Sequence, residues 1–167
     1  MATLLMGSRE IHTCGTPPAV GDFAPDFTAT KSDLSIFNLS DLKGQCVLLN
    51  VYPSIDTAVC FDSVNKINQS VGLDITSLCI SMDLPFALQR IQVGEALDRI
   101  MLLSDFRNRE FGEIYGLTMI DGPVSGLLAR AIFILDSAHR IVYQEIVTDV
   151  TKPVQFQKIF DQIQNLF

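Results

Sequence analysis

No apolar run in this 167-residue chain approaches the roughly 20 residues that a membrane-spanning helix requires. The opening segment MATLLMGSREIHT has a short apolar patch, with no basic region before it and no small-residue cleavage site after it. It does not read as a secretory leader, and the expected compartment is the cytoplasm. Basic charge is also short: Lys and Arg total 12 against 19 Asp and Glu, for a formal net charge of -7. The basic residues are scattered. The chain therefore lacks the clustered cationic face that nucleic acid or an anionic membrane demands. Its field repels anions and is indifferent to neutral small molecules. The four cysteines (Cys14, Cys46, Cys60, Cys79) show no paired ligand spacing, and the two histidines, His12 and His139, lie far apart, which argues against a zinc site. There is no internal repeat, low-complexity tract or linker.

What is present is an ordinary globular composition, 48% apolar, long enough to bury a core without disulfides or metals. A single domain spanning residues 1–167 is expected. In a reducing compartment each cysteine is by default a free thiol. ATLLM and REIHT flank Gly7-Ser8 and predict an N-terminal β-hairpin within residues 1–14. A Pro/Gly-rich passage follows, then two short strands around Phe27 and Ile36. CVLLNVY is a continuous apolar run of strand length and predicts a strand covered on both faces. After PSIDT comes a helical stripe of Val64, Ile67 and Val71. Next come a buried strand in ITSLCIS, a short helix in PFALQRI, a strand in IMLLS and a helix closed by Gly116. ARAIFILD and RIVYQEIV predict a strand pair joined at Ser137–His139. A last helix is expected to open at Thr151 and Pro153 and to turn Phe156, Ile159, Phe160, Ile163 and Phe167 inward. Alternating strands and helices followed by a hairpin and a closing helix indicate a mixed α/β sandwich with a parallel portion in its sheet, an order compatible with a thioredoxin-like fold. Its central mixed sheet is flanked by helices and extended by the N-terminal hairpin.

Cys60 stands out by its position. The strand CVLLNVY ends at Pro53, Asp56 is a plausible N-cap, and Cys60 then closes the first turn of the following helix. Backbone N–H groups there lack intrahelical partners and the helix dipole favours negative charge. A sulfur at such a place is favoured as thiolate, the nucleophilic form. The bland reading is a small buried residue on a helix, and position alone does not separate the two.

The neighbours do. Pro53 and Thr57 complete P-x-x-x-T-x-x-C after a buried strand and across a helix start. This pattern resembles the peroxiredoxin active-site signature. NVYPSIDTAVC, SMDLPFALQR, LSDFRNREFGEIYG and DGPVSGLLARAIFILD, in that order, resemble the bacterial thiol peroxidase subfamily from about Val20 to the C-terminal helix. The resemblance implies a peroxidase that reduces hydrogen peroxide and organic hydroperoxides without a cofactor. Cys60 would be the nucleophile, passing through sulfenic acid. Thr57 would hydrogen-bond thiolate and peroxide. Pro53 would shield the sulfur from bulk water, and Arg130 would hold thiolate and peroxide oxygens in its fork of donors. It also implies a homodimer. Phe61, Phe86 and Phe106 are compatible with an apolar substrate and equally with core packing. A thioredoxin-type disulfide exchanger needs C-x-x-C at this helix start, and Thr57 occupies the first of those places.

One departure from the resemblance concerns the second half of the cycle. The subfamily carries a resolving cysteine in the helix after DLPFA, within an R-F-C-like triplet. Here Arg90-Ile91-Gln92 stands in its place, and Gln92 cannot form a disulfide. Cys79 lies mid-strand and Cys46 begins a strand, so both read as packed thiols; Cys14 lies outside the core pattern. The economical expectation is a one-cysteine cycle in which thioredoxin, glutaredoxin or a small-molecule thiol reduces the sulfenic acid. The alternative is a peroxide sensor or redox-regulated binding protein using the same cysteine without rapid turnover. A catalytically dead scaffold is disfavoured by the joint presence of Pro53, Thr57, Cys60 and Arg130.

Overall fold

The computed structural model describes residues 1–167. The hairpin forms as expected from β1 (Thr3–Met6) and β2 (Arg9–His12), turning at Gly7 with φ 64°. The body is a seven-stranded sheet. Its strands are β3 (Thr28–Lys31), β4 (Ile36–Asn38), β5 (Val47–Val51), β6 (Thr76–Ser81), β7 (Ile100–Ser104), β8 (Ala131–Leu135) and β9 (Ile141–Ile146), in the order β4-β3-β7-β6-β5-β8-β9. The β5–β6 and β6–β7 pairs are parallel and the others antiparallel. The two parallel crossovers run through α1 (Ala58–Ser70) and α2 (Pro85–Gly94). A five-residue helix α3 (Glu110–Ile114) and the closing helix α4 (Phe156–Gln164) complete the fold.

β5 explains how the sheet organises two cores. All five of its residues are buried, as the unbroken apolar run in the sequence requires for a strand covered on both faces. Side chains alternate across a strand, so Val47, Leu49 and Val51 enter one cluster and Leu48 the other. The first cluster joins the sheet to the hairpin through Leu4 and Ile11 and to α3 through Phe111. Phe111 stacks on Tyr115 at 4.3 Å between centroids, and Phe27 meets Phe111 edge-on at 4.8 Å. The second cluster seats α1 through Cys60, Val64 and Ile67, α2 through Leu88, and α4 through Ile159. Gly116 takes φ 65°, and a Cβ there would come within 2.7 Å of the Gly15 backbone, so this corner admits only glycine.

The C-terminal helix departs from expectation. It starts at Phe156, not at Thr151, because the Asp149 side chain captures both the Thr151 N–H and its hydroxyl in a turn (3.0 and 2.7 Å). The Gln155 N–H then donates to the Glu145 carboxylate of β9. Only Ile159 is fully buried. Phe156, Phe160 and Ile163 are half-buried and Phe167 is exposed: the helix lies beside the C-terminal part of α1, with Lys66 over the Phe156 ring and Phe160 and Ile163 bordering a groove with Val71 and Ile75. No helix is long and apolar enough to cross a membrane.

Candidate active site

β5 and β6 run parallel side by side, so the segments leaving their C-terminal ends emerge together. From β5 comes the loop Pro53–Thr57 and from β6 comes Asp83. The Asp83 carboxylate accepts hydrogen bonds from Ser54 Oγ (2.8 Å), the Ile55 N–H (2.7 Å) and Ser81 Oγ (2.7 Å). Its carbonyl accepts from Ser104 Oγ at the end of β7 (2.6 Å). One aspartate thus ties the ends of three adjacent strands to the loop that leads into α1.

The N-cap of α1 is Thr57, not Asp56. The first i to i−4 bond runs from the Phe61 N–H to the Thr57 carbonyl (2.9 Å), which makes Thr57 the last extended residue. Its Oγ1 accepts from the Cys60 N–H and donates to the Ser54 carbonyl, both at 3.3 Å. Thr57 therefore touches Cys60 through the backbone, and its hydroxyl is not directed at the sulfur. Asp56 sits on the surface 3.8 Å from Arg90.

Cys60 is the third residue of α1 and has no exposed surface. Arg130 immediately precedes β8, whose Ala131 is the register partner of Val51 at the end of β5. The arginine and the cysteine-bearing helix consequently depart from the same end of neighbouring antiparallel strands. Arg130 Nη2 lies 3.4 Å from Cys60 Sγ and 3.2 Å from the Val150 carbonyl. Arg130 is 2% exposed, and its Nε and Nη1 are buried without a hydrogen-bond partner. A buried guanidinium with no carboxylate beside it is costly to desolvate, and Cys60 Sγ and the Val150 carbonyl are its two neighbours. Pro53, Thr57 and Arg130 all line a largely apolar cleft of ≈ 240 Å³, together with Met6 of the hairpin and Val150.

The other thiols are placed differently. Cys79 is wholly buried in β6, where its sulfur accepts from Asn50 Nδ2 (3.6 Å), and burial pushes the thiol up to about 12. Cys46 is half-buried just before β5, and desolvation raises its thiol too. Cys14 is exposed, with Sγ on the Gly112 carbonyl (3.5 Å). Gln92 is fully engaged: it accepts from Ser32 Oγ (2.9 Å) and donates to the Leu97 and Ile100 carbonyls (3.2 Å each), closing the C-terminal end of α2 onto β7. Phe86 and Phe106 are exposed, not core, and line a separate apolar groove with Leu84, Pro85 and Arg107. Sequence reasoning missed Asp83, Met6, Asp149 and Val150. Only Asp83 left a signal, an acidic residue just after a strand parallel to the one carrying the loop.

A thioredoxin-like sheet with one buried thiol at a helix start, an arginine against the sulfur and no second thiol in the C-x-x-C position defines a peroxiredoxin-class site. The redoxin family model matches residues 19–163. The thiol peroxidases of Mycobacterium tuberculosis and Mycobacterium bovis are 40% identical over 158 residues, covering 94% of this chain and 95% of theirs. A peroxiredoxin-like protein from Aquifex aeolicus superposes with a TM-score of 0.93 at 28% identity, covering 99% of this chain and 97% of that one. A thiol peroxidase from Chromobacterium violaceum has the same fold, with a TM-score of 0.88 at 23% identity over 98% of this chain and 95% of its own. The chain belongs to the redoxin family, in its thiol peroxidase branch.

Proposed function

We propose that the protein is a thiol-dependent peroxidase whose nucleophile is Cys60, working by a one-cysteine cycle with an external thiol as reductant. The Cys60 thiolate attacks the terminal peroxide oxygen, the O–O bond breaks, and the sulfur becomes sulfenic acid while water or an alcohol leaves after taking up a proton. Arg130 binds the thiolate and, through its free N–H groups, the peroxide oxygens as charge builds on the leaving oxygen. Pro53 forms the cleft wall that excludes water, and Thr57 fixes the first turn of α1 and hence the sulfur. A thiol then displaces water from the sulfenic acid to give a mixed disulfide. A second thiol releases Cys60 as thiol and leaves with the first as a disulfide. Thioredoxin, glutaredoxin and a small-molecule thiol all satisfy this chemistry.

The observation that carries the reading is the 3.4 Å approach of Arg130 Nη2 to Cys60 Sγ beside two unpartnered guanidinium nitrogens. Kinship with thiol peroxidases along 94% of the chain supports turnover over the sensor alternative. The external reductant is supported by Gln92, which occupies the resolving position and spends its polar atoms on backbone and Ser32. Peptide mapping after one equivalent of hydrogen peroxide should find sulfenic acid at Cys60 and no disulfide. Steady-state consumption with a thioredoxin or glutathione system should then require Cys60. A Cys60→Ser variant that consumes peroxide at the wild-type rate overturns the assignment.

A further inference from the structure

The Val150 carbonyl is the one protein oxygen that holds the Arg130 guanidinium. Val150 is itself held from outside the sheet. Its N–H donates to the Leu5 carbonyl of β1 (2.9 Å), and the Leu5 N–H donates to the Thr148 carbonyl (2.7 Å), so both backbone groups of Leu5 serve the 148–150 segment. Leu5 and Asp149 form a parallel bridge. Asp149 closes the assembly: its Oδ1 accepts from the Gly7 N–H of the hairpin turn (3.5 Å), the Thr151 N–H (3.0 Å) and Thr151 Oγ1 (2.7 Å). The hairpin is a firm support, because Leu4 and Ile11 are buried in the core, and Met6 reaches the cleft that Arg130 lines.

We infer that the N-terminal hairpin is part of the catalytic apparatus: acting through residues 148–151, it aims the Arg130 guanidinium at Cys60, with Asp149 as the positioning residue. The inference rests on the reading of Cys60 and Arg130 given above. Its physical basis is that a guanidinium with one backbone acceptor and two free nitrogens is oriented by that acceptor. An error of about 1 Å in a catalytic group can cost about a hundredfold in rate. The Asp149 charge is not required. All three donors converge on Oδ1, and an asparagine keeps that oxygen.

The test is single-turnover oxidation of Cys60 by hydrogen peroxide in Asp149→Ala, Asp149→Asn, Leu5→Pro, Arg130→Ala and the Asp149→Ala/Arg130→Ala double variant. Asp149→Ala and Leu5→Pro are expected to slow oxidation about tenfold or more, and Asp149→Asn to remain within about twofold of wild type. In the Arg130→Ala background, Asp149→Ala is expected to cost nothing further, which a merely structural role would not give. Wild-type rates in both Asp149→Ala and Leu5→Pro overturn the inference, as does a full additional loss in the double variant. If Arg130→Ala itself oxidises at the wild-type rate, the Arg130 assignment fails and the inference with it. A slow Arg130→Ala beside normal Asp149→Ala and Leu5→Pro sinks the inference alone.

Discussion

Arg130 and Val150 share one hydrogen bond that fixes an amino group also lying 3.4 Å from Cys60 Sγ. The same Nη2 therefore bridges backbone and Cys60 sulfur, leaving Nη1 and Nε unpartnered. Arg130→Ala is expected to lower kcat/KM for peroxide by about 10²–10³, the usual cost of removing a donor aimed at developing charge. Arg130→Lys keeps the charge and loses the fork, and should recover only part of the rate. Stopped-flow oxidation of Cys60 reads both; a lysine variant at full rate would remove the case for fork geometry.

Asp83 holds the loop ahead of Cys60 by accepting from Ser54 and Ile55, and Cys60 has no exposed surface. Each such bond is worth about 0.5–1.5 kcal/mol net. Asp83→Ala should raise the rate of Cys60 alkylation by iodoacetamide roughly tenfold under native conditions, and slow its oxidation by peroxide. Unchanged alkylation would show that Asp83 does not restrain the loop.

Gln92→Cys tests the missing thiol. The substitution loses three hydrogen bonds, to Ser32, Leu97 and Ile100. At about 1 kcal/mol each, they make Tm fall by several degrees in a domain of this size. The loosened end of α2 is then expected to let the introduced thiol capture the Cys60 sulfenic acid. Peptide mapping without reductant should find that disulfide after one equivalent of peroxide; persistent sulfenic acid would mean that α2 stays closed.

Cys79, raised to about 12 by burial in β6, remains a thiol at any working pH. It should resist labelling until the protein unfolds, whereas Cys14 is exposed and labels at once. Cys79→Ala should retain peroxidase turnover while losing about 1–3 kcal/mol of stability, since Asn50 Nδ2 is left without its sulfur acceptor. Loss of turnover without loss of folding would give Cys79 a redox role.

Asp105 is 1% exposed, and burial pushes its carboxyl up to about 6 although the Phe111 and Gly112 N–H groups pull it back. The folded state thus binds this proton more tightly than the unfolded chain. The resulting stability is full below the ordinary aspartate range, near pH 4, and is lost as pH rises through about 6. The difference amounts to roughly 3 kcal/mol. Urea titrations between pH 4 and 7 should show this decline in the wild type and a flatter profile in Asp105→Asn. Equal slopes would place the effect elsewhere.

The sequence made the core strands legible because their apolar runs have strand length, and it marked Cys60 because a helix start after a buried strand has its own chemistry. It misplaced the α1 cap by one residue: Asp56 and Thr57 are both good caps, and the choice depends on which carbonyl Phe61 reaches. It opened α4 too early because Pro153 suits a helix start, whereas Asp149, two residues before Thr151, had already committed that segment to a turn. Asp83, Asp149 and Val150 were missed for a common reason, Asp83 alone leaving a trace in its place just after a strand. They act on the Cys60 loop and on Arg130 across long stretches of sequence, in part through backbone atoms that no side-chain pattern encodes.

The pairing of Val51 with Ala131 has a consequence for design. The spacing between the roots of nucleophile and arginine is a lattice property, about 4.8 Å between neighbouring strands, rather than the outcome of loop conformation. Two antiparallel strands, a helix begun a short loop after one and an arginine just before the other form a transferable template. Surfaces, partners and reductants can diverge around such a template without disturbing the chemistry at its centre.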